Sequence, residues 1–132
     1  MLNGVLSSYI ATHKNEKNEI DVIIPKLVFD YVLAAALSSV RIDERWYVSK
    51  YDDVRKAIES GHIKSAKHHF ISSGYAEGRL PYHIKVDEDF YLRTNKDVAD
   101  ALKNKTTESA QSHFEIAGYS EGRLPYPAFK LF

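Results

Sequence analysis

The sequence contains no cysteine among its 132 residues. That absence excludes disulfide bonds, thiolate nucleophiles and zinc or iron–sulfur sites built on cysteine. A long hydrophobic run is also missing: residues 27–40 form the longest apolar stretch, which Asp30 interrupts and which is shorter than the ~20 residues of a membrane-spanning helix. The first 13 residues lack the basic and apolar regions of a signal peptide. We therefore expect a cytoplasmic protein, with export by another route left open.

Neither sign of charge is in excess, since Lys and Arg together number 18 and Asp and Glu together also number 18. This balance argues against a nucleic-acid-binding surface and against a polybasic membrane anchor. The sequence also lacks a Gly-rich dinucleotide loop, a Walker loop, HExxH, an EF-hand loop and a GxSxG elbow. We therefore expect no cofactor and no metal. An apolar fraction of 44% is that of an ordinary globular protein with a packed core.

The strongest pattern present is an internal repeat. Residues 42–82, the first segment, align without a gap on residues 86–126, the second segment, and 18 of the 41 positions are identical at an offset of 44. In the first segment the identical residues are Asp43, Glu44, Tyr47, Asp53, Val54, Ala57, Ser65, Ala66, His69, Phe70, Gly74, Tyr75, Glu77, Gly78, Arg79, Leu80, Pro81 and Tyr82. The match indicates a duplication and predicts three regions, 1–41, 42–85 and 86–132, in one compact domain.

Each segment is predicted to form three short helices. In the first segment, one helix follows Asp43, whose side chain suits an N-cap, and a second begins near Asp52 with an apolar stripe at i, i+3, i+4 spacing. The third covers about residues 63–73. Gly74 is expected to end it in the left-handed conformation, and Gly78 to form a second tight turn. The second segment should repeat these elements 44 positions later.

The residues outside the segments complete the predicted all-α fold of two tandem three-helix units and an N-terminal helix. Residues 25–40 predict a long helix, which their apolar composition marks as the most buried one. Residues 1–11 predict a further helix, and residues 13–19 a solvated linker. The apolar tail, 127–132, is expected to pack on the body.

The repeated pattern Asp-Val-x-x-Ala-Ile/Leu, Ser-Ala-x-x-His-Phe and Gly-Tyr-x-Glu-Gly-Arg-Leu-Pro resembles a bacterial tandem repeat. Such repeats occur beside glycosyltransferase-type domains and in some large secreted bacterial proteins. The resemblance covers residues 42–126, about two thirds of the chain. It departs at Lys96, where the pattern often has proline, and at Lys105, where it often has glycine. The resemblance implies no catalytic activity and suggests a role in glycan or surface-polymer assembly.

His69 and His113 are the first candidates for chemistry, because a pseudo-twofold packing would bring the two equivalent imidazoles together. Two imidazoles are an incomplete metal site, since such sites normally have three or four ligands. His68, His62 or Glu115 would have to supply the third. We favour the alternative of a structural histidine before a core phenylalanine, with its ring N–H bonded to the following loop.

Arg79 and Arg123 suit an anionic ligand, since a guanidinium holds a carboxylate or phosphate through two parallel bonds. We favour pairing inside each segment, because both segments repeat four acids beside a single arginine. Such pairing would lock the Glu-Gly-Arg turn onto the first or second helix. Glu77 and Glu121 are the remaining acid–base candidates, although nothing in the sequence places them across a cleft.

The repeated tyrosines offer flat rings that stack on sugars, and Tyr75 and Tyr119 join the two arginines as candidate ligand contacts. A glycan is the ligand that such rings would suit. The alternative is that these rings fill the gaps between short helices. We favour the core role.

Charge differs between the two repeated regions. Residues 42–85 carry eight basic and six acidic residues, a formal +2, and residues 86–132 carry six basic and eight acidic, a formal −2. The two regions can attract each other within a chain or head to tail between chains.

Two functions follow from the sequence. The first is a non-catalytic interaction or scaffold module that binds another protein or a second copy of itself as a homodimer. The second is a small enzyme or anionic-ligand-binding protein that uses His69, His113, Arg79 and Arg123 in a groove between the segments.

Overall fold

The structure is a computed structural model that describes residues 10–131. Within that range the chain is largely helical, with seven α-helices and one two-stranded sheet. No described helix combines the length and the apolar character that crossing a membrane requires. The chain divides into two compact units, Met1–Leu37 and Ser38–Phe132.

The N-terminal unit contains a β-hairpin, which corrects the prediction of a solvated linker at 13–19. Strands β1 (Ala11–Lys14) and β2 (Ile20–Ile23) are antiparallel, with Lys14 opposite Ile20. The Asn15 side chain closes the turn by accepting the backbone N–H groups of residues 17 and 19 at 3.0 Å. The helix predicted for 1–11 lies mostly outside the described residues, and at Ala11 the chain is already a strand.

Helix α1 (Lys26–Ser38) follows the hairpin and matches the helix predicted at 25–40. The prediction that it is the most buried helix is wrong, because Leu37 is its one buried residue. Leu27 is 81% exposed, and Phe29 and Val32 are about half exposed. Apolar composition shows that a face can be buried, but it does not show that a second surface covers it.

The second unit holds six helices whose bounds correspond at an offset of 44. In the first segment they are α2 (Glu44–Lys50), α3 (Asp52–Glu59) and α4 (Ala66–His69), and α4 continues into a π-helical turn, Phe70–Gly74. In the second they are α5 (Glu88–Thr94), α6 (Lys96–Lys103) and α7 (Ala110–His113), continued by Phe114–Gly118.

Side-chain caps determine where these helices begin. Asp43 Oδ1 accepts the Trp46 N–H at 3.0 Å at the start of α2, as the sequence predicts. Ser65 Oγ accepts the His68 N–H at 3.0 Å at the start of α4. Because Ser65 has an extended backbone and acts as the cap, the third helix begins three residues later than predicted.

The same positions form the buried interior of both segments. Tyr47, Val54, Ala66 and Phe70 are buried in the first, and Tyr91, Val98, Ala110 and Phe114 in the second. Leu80, Ile84 and Val86, from the end of the first segment and the connection, belong to the core cluster of the second. Trp46 and the tail residue Phe129 pack against that cluster.

Each segment is closed by a hydrogen bond between its two ends. The Asp43 N–H donates to the Pro81 carbonyl at 3.1 Å, and the Asp87 N–H donates to the Pro125 carbonyl at 2.9 Å. The chain therefore returns to its starting point within each segment.

The glycines correct one prediction and confirm another. Gly74 and Gly118 do not adopt the left-handed conformation predicted for them, and they sit inside the π-helical turns. A Cβ at Gly74 would overlap Tyr47 Oη, so close packing explains the need for glycine. Gly78 and Gly122 do form left-handed turns, each with φ of 72°.

Replacement of Gly74 by alanine tests this packing. Gly74→Ala should destabilise the protein by about 1–3 kcal/mol, because the added methyl group displaces the Tyr47 hydroxyl. The cost should shrink in a Tyr47→Phe background, where that hydroxyl is absent. Urea denaturation of the wild type, the two single variants and the double variant measures the cost of Gly74→Ala in each background. An equal cost in the two backgrounds would contradict close packing of Gly74 against the Tyr47 hydroxyl.

Candidate functional site

A hydrogen-bonded tyrosine–histidine pair lies inside each segment, and its histidine is buried in the first segment and half-buried in the second. Tyr47 Oη on α2 hydrogen-bonds His69 Nδ1 on α4 at 3.0 Å, and Tyr91 Oη bonds His113 Nδ1 at the same distance. Both tyrosines are fully buried, and His69 is 7% exposed. The histidines therefore tie the third helix to the first helix, whereas the sequence predicted a tie to the following loop. The sequence signal for this pair is that Tyr47 and His69 are both conserved between the two segments.

The environment of the first pair favours neutral side chains. Burial lowers the pKa of His69, and the positive charge of Arg79 lowers it further. Burial also raises the pKa of Tyr47 above its ordinary value. A neutral, buried imidazole whose Nδ1 is occupied by a tyrosine is poorly placed to exchange protons with a substrate.

Arg79 forms a two-pronged ion pair with the second helix of its own segment. Its Nη1 and Nη2 donate to the two carboxylate oxygens of Asp53 at 2.9 and 2.7 Å, and its Nε donates to Glu77 at 2.6 Å. The guanidinium also lies over the Tyr51 ring, 4.9 Å from the centroid. The hydrogen bonds from Arg79 lower the pKa of Asp53 to about 2.

Arg123 repeats this arrangement. It donates through Nη1 and Nη2 to Asp97 at 2.9 and 2.8 Å and through Nε to Glu121 at 2.6 Å, and Asn95 Oδ1 adds a contact at 3.1 Å. Glu77 and Glu121, the candidate acid–base residues, are thus partners of arginine in separate segments. Each arginine fastens the Glu-Gly-Arg turn to the second helix of its segment.

A cavity of about 520 Å³ runs along the turns of both segments. Tyr75, Tyr119 and Arg123 line it together with Leu124 and Phe129. Three of the four predicted ligand contacts therefore meet in one place, whereas Arg79 lies outside the lining. The walls are mainly aromatic and aliphatic, which suits a neutral ring better than a free anion.

The hydroxyl of Tyr119 is the unusual polar group of this region. Within the described residues, it is buried and has no hydrogen-bond partner. Burial raises the pKa of Tyr119 above its ordinary value, so the phenol stays protonated. The unsatisfied group lies at the junction of the segments, where a bound water or ligand that reached it would stabilise it.

A polar network joins the two segments, and the sequence interpretation missed it. Lys50 Nζ contacts Glu115 Oε2 at 2.6 Å, and Gln111 bonds both the Ile84 carbonyl and the Val86 N–H at 2.9 Å. Burial raises the pKa of Glu115, but hydrogen bonds from Lys50 and Gln111 outweigh this effect and the net pKa is lowered. These residues differ from their counterparts 44 positions away, so a search for repeated residues passes over them.

Metal binding finds no support in the described part of the chain, where no three His, Asp or Glu side chains are grouped to hold an ion. His69 and His113 each have a tyrosine of their own segment as hydrogen-bond partner.

Comparison with protein-family models, with curated proteins and with solved structures finds no match to this chain.

Acidification should reveal the buried state of His69. Its pKa is lower in the folded protein than in the unfolded chain, so protons bind preferentially to the unfolded chain and stability falls as the pH drops below about 6.5. His69→Gln should remove part of this pH dependence and cost about 1–3 kcal/mol at neutral pH, since Tyr47 loses its partner. Chemical denaturation at several pH values measures both effects.

The neighbouring His68 provides the control, because its side chain is exposed. His68→Gln should leave stability and its pH dependence nearly unchanged. If the wild type and His69→Gln lost stability equally between neutral and acidic pH, the buried-histidine assignment would be wrong.

The Arg79–Asp53 pair should show a measurable coupling energy. A double-mutant cycle with Arg79→Gln and Asp53→Asn should give about 1 kcal/mol, because the fork is two-pronged although Asp53 is largely exposed. Because the pKa of Asp53 is lowered to about 2, the coupling should persist above about pH 4 and disappear as the pH falls toward that value. The exposed Lys103–Asp100 pair serves as the control and should couple far more weakly. Equal coupling in the two pairs would contradict a bracing role for Arg79.

Proposed function

We propose that the chain is a non-catalytic interaction or scaffold module built from two copies of one 44-residue, three-helix unit. The observation that carries this proposal is the internal use of the repeated polar residues. Each repeated histidine is bonded to a tyrosine, and each repeated arginine is bonded to an aspartate and a glutamate of its own segment. Side chains engaged in this way stabilise their own loops and are not available for catalysis.

Exposed apolar side chains supply the surface that an interaction module requires. Leu124, Tyr126 and Ile116 are exposed in the second segment, and Leu27 and Phe29 are exposed on α1. Each unit thus has exposed apolar side chains of its own that another macromolecule can contact. The resemblance to repeats beside glycosyltransferase-type domains suggests that the partner belongs to a bacterial glycan or surface-polymer assembly system.

A ligand-binding function is the second candidate, and the cavity along the turns is the observation that favours it. Tyr75, Tyr119 and Arg123 line this cavity. Arg123 is already paired with Asp97 and Glu121, so an anionic ligand would have to compete with two carboxylates. A neutral sugar ring stacked on tyrosine suits the site better than the anion first considered.

Native mass spectrometry of the purified protein separates the two functions. The scaffold proposal predicts the mass of the chain or of an assembly of chains, with no retained small molecule and no metal after incubation with Zn²⁺. Tyr75→Ala, which alters the cavity, and Tyr31→Ala, which alters an exposed ring outside it, should each appear at the mass of their own chain with nothing else retained.

A retained molecule that is lost in Tyr75→Ala and kept in Tyr31→Ala would contradict the scaffold proposal and support ligand binding. Stoichiometric Zn²⁺ that is lost in His69→Gln would contradict the structural role of the histidine.

A further inference from the structure

Equivalent residues at the ends of the two segments have different surroundings. Leu80, at the end of the first segment, is 1% exposed, whereas Leu124, its counterpart 44 positions later, is 47% exposed. A Cβ built on Gly78 would lie 3.1 Å from the Cβ of Ser120, whereas a Cβ on Gly122 would meet nothing within 4 Å. The same residue types are therefore covered at one end and open at the other.

The covered end shows what these residues do. Gly78 lies against Ser120 because the second segment is seated there, and Leu80 is part of the second segment's core cluster. The Lys50–Glu115 ion pair fixes the same junction at 2.6 Å. A glycine turn followed by leucine thus forms the surface on which the next segment packs.

The open end presents this surface again. Gly122 repeats the left-handed turn with φ of 72°, and Leu124 and Tyr126 follow it with their side chains exposed. The tail covers part of the region, since the Phe129 ring contacts the Tyr126 ring with centroids 5.3 Å apart. Gly122 and Leu124 stay exposed as walls of the cavity along the turns, which Phe129 and Ala76 of the same chain also line.

The first segment of a second copy has the side chains that this surface accepts. Ala76 occupies the position 44 residues before Ser120, and it is small and exposed. It can lie over Gly122 as Ser120 lies over Gly78. Tyr75 likewise stands where Tyr119 stands in the second segment.

Charge favours the same orientation. The open end belongs to residues 86–132, with a formal charge of −2, and the incoming segment belongs to residues 42–85, with +2. Such charges set orientation more than strength, and salt screens them.

We infer that the chain binds a second copy of itself head to tail, with Ala76 of one copy against Gly122 and Leu124 of the next. This inference rests on the proposal that the segments are copies of one packing unit, and it names the partner of the proposed interaction module. The contact is heterologous, so each copy keeps one donor and one acceptor surface, and association continues into a series or closes into a ring.

Two variants block the two surfaces separately. Leu124→Glu places a negative charge on the open end, and Ala76→Glu places a negative charge on the incoming segment, so the two substituted surfaces also repel each other. Sedimentation velocity of the wild type over about 1 µM to 1 mM, the range of weak interfaces, should show a mass that rises with concentration and falls at high salt. Each variant alone should remain a monomer.

An equimolar mixture of the two variants gives the decisive result. Leu124→Glu retains a working first segment, and Ala76→Glu retains a working open end, so the mixture has one functional contact and should form a one-to-one heterodimer with no larger species. A symmetric contact between identical surfaces would leave both variants unable to pair. Failure of the mixture to form this heterodimer therefore overturns the inference.

Leu27→Glu in the N-terminal unit is the matched control, because Leu27 is the more exposed leucine. It should associate as the wild type does. Association that is lost in Leu27→Glu and kept in Leu124→Glu would assign the contact to α1 and overturn the inference, as would a wild type that stays monomeric at about 1 mM. Far-UV circular dichroism and Tm verify folding of each variant, and Leu124→Ser replaces Leu124→Glu if the charge unfolds the chain.

A monomeric wild type would leave the proposed scaffold role standing, because that role is tested by native mass spectrometry and by the stability of the histidine and arginine variants. The two failures are therefore distinguishable.

Discussion

A buried tyrosine hydroxyl costs free energy unless it finds a hydrogen-bond partner inside the protein, and in both segments this requirement organises the first and third helices. Tyr47 meets it with His69, and its hydroxyl occupies the space that a side chain at position 74 would need. The backbone accommodates this by widening into a π-helical turn, in which the Tyr75 N–H reaches the Phe70 carbonyl five residues back at 2.9 Å. The buried hydroxyl oxygen of Tyr47 therefore explains both the histidine at position 69 and the glycine at position 74.

The arginine fork depends on that widened turn. The Arg79 N–H bonds the Gly74 carbonyl at 2.8 Å, which aims the guanidinium at Asp53 on α3. Repeated and unrepeated positions of the sequence have different roles in the structure. Repeated positions build each segment, and unrepeated ones such as Lys50, Gln111 and Glu115 join the segments together. The residues that differ between the two segments therefore include those that hold the segments together.

The sequence predicted much of the helical unit, because its signals are local. Asp43 before an aromatic pair indicates a cap, and the spacing of Val54 and Ala57 indicates an inward face. The internal pairing of Arg79 followed from counting charges, but its choice of Asp53 over the other acids required the geometry of the turn. Gly74 was assigned a backbone role, since a sequence does not reveal that a distant hydroxyl fills the neighbouring space.

The errors in the N-terminal unit have different causes. The hairpin was missed because its strands are four residues long, although Ile20 and Val22 alternate with Asp21 and Asn18 takes a left-handed turn with φ of 63°. The apolar composition of α1 predicts a buried helix, but it carries no information on whether another surface covers that helix. The sequence predicts the cavity contacts only in part, since Tyr75 and Tyr119 stand out by their rings, whereas Leu124, although repeated, and Phe129 reach the cavity through the fold.

The hydrogen bond between the Asp43 N–H and the Pro81 carbonyl brings the entry and the exit of a segment to within 3.1 Å. A block whose ends coincide can be added to a gene, or removed from it, without rerouting the polypeptide on either side. Growth by whole blocks then requires no new folding information, only a few altered side chains where neighbours meet. The length of such a protein is consequently free to change during evolution while the shape of each block stays the same.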